Sequence, residues 1–232
     1  QVRLFADTDT FVQETSADST NGGIADTLGV SGVTGGVEIT FLKIPVATLS
    51  KRVASAVLHL YKSGGGADCG AGGGSLGVMV LADGSFTEDS VSFASMPAGV
   101  TKAAPWATPS TAGANHTAVA TARVPCGEGF WVTVDISGIL NEAVMTGVHT
   151  GHLPLAVFAA TATTPATAFS AREGPAERRP HVLVTPSISE VALGVRAAHL
   201  HADGAAAVVE QLHADEATEG IEVAEARLEV AA

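Results

Sequence analysis

From residue 1 to about residue 186 the hydrophobic positions fall in runs of five to eight β-formers, separated by Gly, Ser, Thr and Asp. VEITFLKIPV (Val37–Val46) alternates Val37, Ile39 and Phe41 before breaking at Pro45. SAVLHLYKS (Ser55–Ser63) sets Val57, His59 and Tyr61 on one face and Leu58 and Leu60 on the other. VRLFADTDTFVQ alternates around a turn, and LGVMVLA, FWVTVDI, LPLAVFA and HVLVTP follow at similar spacing. Short strands at this spacing predict an all-β sandwich. One segment reads differently: SGILNEAVMTG (Ser137–Gly147) starts at a Ser suited to an N-cap and ends at Gly, predicting one or two helical turns. SGGGADCGAGGGS (Ser63–Ser75) and the stretch Pro105–Pro125 read as long irregular connections. The glycine-dense one lacks the GK[ST] ending of a phosphate loop and precedes no helix.

After residue 186 the pattern changes. EVALGVRAAHLH alternates Val191, Leu193 and Val195, and IEVAEARLEV supplies Ile221, Val223, Leu228 and Val230, so both read as strands. The segment between them suits a short helix or a further strand, and LHADG and LHADE form a near-repeat twelve residues apart. The boundaries are therefore a sandwich over 1–186 and a C-terminal extension over 187–232. Apolar strands without a sheet of their own are candidates for pairing with a neighbouring subunit's edge.

Charge sharpens that division. The chain carries 24 acidic against 12 basic residues, a net charge of −12. The extension holds nine acids against Arg196 and Arg227, giving −7, while residues 1–186 carry −5. This balance argues against nucleic acid and against anionic membranes as partners. No apolar run reaches the roughly 20 residues that span a bilayer. Cys69 and Cys126 are the two cysteines and suit one disulfide, or two separate thiols. Asn115-His116-Thr117 is an N-glycosylation sequon, and ATATTPATA (Ala160–Ala168) has the composition of O-glycosylated surfaces. With Gln1 read as the end left by signal removal, these features point to a secreted, cell-surface protein.

No nucleophile, zinc or nucleotide motif occurs, so no catalytic residue, metal or cofactor is expected. His199, His201 and Asp203 share a strand face, His149 and His152 stand close in HTGH, and Asp7 and Asp9 are surface-type acids. All of these read more simply as solvated or half-buried polar positions. FSAREGPAERRP (Phe169–Pro180) concentrates three of the twelve basic residues just before an apolar strand. Arg172, with Glu173, reads as a structural residue that closes the fold, because a guanidinium satisfies many acceptors at a strand entrance. Arg178 and Arg179, with Lys62 and Tyr61, read as a contact rim for a ligand or a subunit, suited to a uronate or to an acidic tail.

The order of several segments resembles a known family. FADTDTFVQ, STNGG, TLGVSG, ITFLKIPVATLSKRVASAVLHLY, FTEDSVSFASMP, WVTVDISGIL and FSAREGPAERRPHVLV are similar, in this order, to the successive motifs of DNRLRE domains. These include the alginate-binding carbohydrate-binding module family 96. The resemblance covers residues 1–186 and implies a secreted, jelly-roll-like sandwich of two antiparallel sheets. Phe86 and Phe93 stand where the family has Trp, and LKIPVA lacks its Asp, which argues against a sugar groove built on those positions.

Two functions follow as expectations. The first is a non-catalytic extracellular structural protein, a homo-oligomer or filament subunit assembled through its extension. The alternative is a carbohydrate-binding module for an acidic polysaccharide such as alginate.

Overall fold

A computed structural model of the chain describes residues 1–20, 25–49, 52–65, 74–97, 100, 119–146, 149 and 151–187. Residues 1–187 form one compact unit. Among the described residues it is an all-β sandwich of two antiparallel sheets with a single α-helix.

In chain order the strands are β1 (Val2–Phe5), β2 (Thr8–Gln13), β3 (Thr27–Val30), β4 (Glu38–Pro45), β5 (Val53–Gly65) and β6 (Gly74–Val80). They continue with β7 (Val119–Val124), β8 (Phe130–Asp135), the helix α1 (Ser137–Thr146), β9 (His152–Ala159), β10 (Thr167–Ser170) and β11 (His181–Pro186). One sheet runs β2-β4-β9-β6-β7. The other is organised by the long β5, which pairs with β11 along Val53–His59, with β10 along Lys62–Gly65 and with β8 along Val57–Lys62. Because β8 overlaps both partners in register, β10 and β11 share one edge of β5 and β8 takes the other. β1 then extends the sheet beyond β11, and β3 extends it beyond β10.

The sandwich interior is filled by alternate residues of both sheets, among them Leu42, Ile44, Leu58, Leu60, Val78, Val132, Leu155, Val157, Phe169 and Val182. The β2-β4-β9-β6-β7 sheet is covered on its other face too. There Ile39, Phe41, Met79, Ala156 and Phe158 pack against Phe86, Val91 and Phe93 of the segment after β6. Burial on both faces explains why β9 is apolar without alternation, with Leu153–Ala159 all buried. The outer face of the β5 sheet has no such cover among the described residues. Its strands alternate, as in β8, where Val132 and Val134 are buried while Trp131, Thr133 and Asp135 are exposed.

Three sequence expectations change. The stretch Pro105–Pro125 is not wholly irregular: its end is β7, paired with β6 from Val119 to Val124. The helix has ten residues, longer than two turns, and Ser137 is its first residue. Asp135 stands before it and accepts the Ser137 amide at 2.9 Å and the Ser137 hydroxyl at 2.6 Å. The Thr/Ala/Pro tract is not uniformly a surface: Thr164 and Thr167 are buried, with the Thr164 hydroxyl donating to the Ser75 carbonyl at 3.1 Å.

Candidate functional site

The uncovered sheet face is built by strand register. Phe5, His181 and His59 fall in one row across β1, β11 and β5, and Tyr61 stands opposite Trp131 in the next row, on β8. Since β residues alternate between faces, each of these side chains projects away from the core. The result is an aromatic cluster. The Phe5 and His181 ring centres lie 5.5 Å apart, His181 and His59 stack at 4.8 Å and 8°, and Tyr61 and Trp131 meet edge-to-face at 5.4 Å. Trp131 stands at 79° to His181 and at 75° to His59, so the rings form a corner rather than a slab. Phe5 is 42% exposed and Trp131 36%, unusual for large apolar side chains on a face of this kind.

Two guanidiniums border the cluster. Arg3, two residues before Phe5 on the same face, lies 5.9 Å from the Phe5 ring centre. Arg178 lies 4.7 Å over the Tyr61 ring. A single 3₁₀ turn, Ala176–Arg178, sets Arg178 there, closed by its amide on the Pro175 carbonyl at 2.8 Å. On the opposite side Gly129 makes the tight entry into β8. It adopts φ +85° and donates its amide to the Lys62 carbonyl at 2.8 Å, which brings Trp131 level with Tyr61.

The four proposed contact residues separate. Tyr61 and Arg178 come together on the open face. Lys62, next to Tyr61, alternates to the opposite side and is fully buried. Its ammonium donates to the Pro125 carbonyl at 2.9 Å and lies 5.6 Å from the Phe130 ring centre. Lys62 is therefore an interior residue, not part of a rim. Arg179 is half-buried, its Nε enclosed without a hydrogen-bond partner, and its carbonyl faces His181 Nδ1 at 2.9 Å. The aromatic row of Phe5, His59, Trp131 and His181 had a signal in the sequence, namely alternation in β5 and β8. Which face stays open depends on the segment covering the other sheet.

Arg172 and Glu173 lie in a separate ionic knot at one end of the sandwich. The Arg172 amide donates to Asp9 Oδ2 at 2.6 Å, its Nε to Glu173 Oε1 at 2.7 Å, and its guanidinium meets Glu88 at 3.2 Å and the Asp7 carbonyl. Asp9 also donates its amide to Glu88 at 3.0 Å. Burial, opposed in part by the Arg172 amide, pushes the Asp9 carboxyl up to about 7. Carboxylate oxygens of Asp9, Glu88 and Glu173 fall within 4.8 Å of one another. The Arg172 guanidinium already bonds two of these acids, so the group is read as an ion-pair network closed by Arg172. Asp7 takes another partner, His152 Nε2 at 2.5 Å, while His149 is half-buried.

Cys126 is exposed, whereas Cys69, Asn115, residues 21–24 and the extension after Ser187 with His199, His201 and Asp203 lie outside the described residues. Phe86 and Phe93, standing where Trp occurs in related modules, are buried beneath the other sheet. Their identity therefore bears on packing beneath that sheet.

No curated protein matches the chain. A family model does, over residues 1–186, and the chain belongs to carbohydrate-binding module family 96.

Proposed function

We propose that the protein is a non-catalytic, extracellular carbohydrate-binding module that takes an acidic polysaccharide on the outer face of the β5 sheet. The observation that carries this reading is the corner formed by the exposed Trp131 with the half-buried Tyr61 and His59 and the buried His181, on a sheet face uncovered among the described residues and bordered by Arg3 and Arg178. Sugar rings present apolar C–H faces that pack on aromatic rings, and removing that area from water supplies affinity. Guanidiniums supply the polar part, since their planar donors match carboxylates two at a time. Holding these groups on strands rather than on loops limits the ordering cost of binding. Family membership favours this reading over assembly into a filament, which rests on residues 187–232.

Titration of alginate and of a neutral β-glucan in affinity gels or by calorimetry tests it. Trp131→Ala is expected to weaken both ligands by about thirtyfold or more, as loss of a central aromatic anchor costs about 2 kcal/mol or more. Arg178→Ala is expected to weaken alginate only. Unchanged alginate binding in Trp131→Ala would move the site off this face.

A further inference from the structure

At the centre of the same face His59 and His181 stack in parallel, ring centres 4.8 Å apart. The carbonyl of Arg179 lies 2.9 Å from His181 Nδ1, so that nitrogen carries the proton in the neutral ring and Nε2 is left as the base. Two imidazolium rings at this separation repel, which restricts the pair to one added proton. The surroundings give that proton no ready counter-charge. Arg3 on β1 sets positive charge beside the pair, Arg178 lies over the Tyr61 ring, and Arg179 meets His181 through its backbone carbonyl. Tyr61 on β5 and Trp131 on β8 are neutral. Asp135 sits two residues along β8 from Thr133, which faces His59, and its carboxylate is turned to Ser137. Glu177 lies 4.0 Å from Arg178. Among the described residues no carboxylate hydrogen-bonds either imidazole. Burial, then the charges of His181 and Arg3, hold His59 below the usual histidine range, and burial, opposed in part by the Arg179 carbonyl, does the same for His181.

We propose that the His59–His181 stack is a one-proton specificity element that tightens binding of carboxylated over neutral glycans as pH falls. The inference rests on the glycan-binding reading of this face. A uronate carboxylate brought onto the corner provides the counter-charge that the protein lacks, so ligand and proton stabilise each other's binding. By reciprocity, binding a polyuronate draws a proton onto the pair. Uronates stay ionised throughout the histidine range, so the ligand's own charge does not change across it. The effect is confined to ligands bearing carboxylates, because a neutral sugar gains nothing from the added charge.

The test is calorimetric titration of the full chain with oligoalginate and with a neutral gluco-oligosaccharide at about pH 5 and about pH 7.5, limits that bracket histidine titration. Alginate affinity is expected to rise by up to about fivefold at the lower pH, the worth of one exposed ion pair. Neutral-sugar affinity stays level. Near pH 6, repetition in two buffers of different ionisation enthalpy should show net proton uptake with alginate alone. Asp9 titrates in the same interval, but in the Arg172 knot, so His59→Gln is the separating variant. Its affinity at the higher pH serves as its own reference, since the substitution alters the corner, and the increase at the lower pH should be lost. Histidine NMR of the unaltered protein gives a check independent of variant folding, with one proton shared between two rings. An unchanged pH ratio in His59→Gln, equal alginate affinities at the two pH values, or independent protonation of both rings overturns the switch and leaves the binding face standing. Absence of any glycan binding at either pH removes the binding reading and the switch together.

Discussion

Asp9 shows how one buried carboxyl sets a pH response. It is 1% exposed and its carboxyl is raised to about 7, chiefly by burial. The unfolded chain releases that proton near the ordinary aspartate value of 3.8, so between about 4 and 7 the folded state holds more protons. This contribution to stability is thus fully present at acid pH and is lost as pH rises through about 7. Asp9→Asn keeps an acceptor for the Arg172 amide and removes the charge. Relative to the unaltered protein its melting temperature is expected to be clearly higher at about pH 8 than at about pH 5, the advantage shrinking as pH falls toward 4. Thermal scans across that range check this, and a constant offset at both values would refute the assignment. His59 and His181 act in the opposite sense: held below the usual histidine value of 6.5, they cost stability as pH falls beneath it. The Asp9→Asn difference isolates one slope from the other.

At the scale of elements, the helix is tied to the sheet by a side chain that imitates a strand. Asn141 accepts the Val53 amide at 2.8 Å and donates to the Val53 carbonyl at 3.1 Å, satisfying both backbone groups where β5 begins. Asn141→Ala leaves those partly buried groups unpaired and is expected to cost about 1–3 kcal/mol in urea unfolding. Asn141→Asp, which keeps the acceptor and loses the donor, should fall between. The segment covering the other sheet is held mainly by packing. Phe86 lies 5.8 Å from Phe41, and the Lys43 ammonium sits 4.6 Å from its ring centre. Phe86→Ala is expected to cost about 3–5 kcal/mol, as for other buried aromatics. Because the cost arises on the sheet opposite the aromatic corner, glycan affinity of the folded fraction should be unchanged.

For the whole molecule, the two sheets divide the work. One is sandwiched between the core and its covering segment, and the other has a face that is uncovered among the described residues. The protein is acidic overall, yet Arg3 and Arg178 place positive charge on that face, so a polyanion is met locally by cations despite a net charge of −12. A chain ending at Ser187 carries −5 and is expected to unfold in one cooperative transition and to keep its glycan affinity or gain slightly, since long-range repulsion falls. Loss of binding in that shortened chain would assign part of the site to residues 188–232.

Strand content, the two-sheet class and the outward placement of His59 and Tyr61 were determined by the sequence alone, because a period of two leaves a local trace in each strand. So was the entry of FSAREGPAERRP into a closing strand. Three things were decided only by tertiary structure. Lys62 lies inside, beside an outward Tyr61, because burial of the sheet's inner face reaches that far along β5. Phe86 and Phe93 are packing residues because their segment folds over a sheet distant in sequence. The aromatic corner exists because register brings Phe5, His59, Trp131 and His181 together from four strands. Composition reports how many apolar residues a chain must bury; which face remains open is set by long-range pairing, which no local pattern encodes.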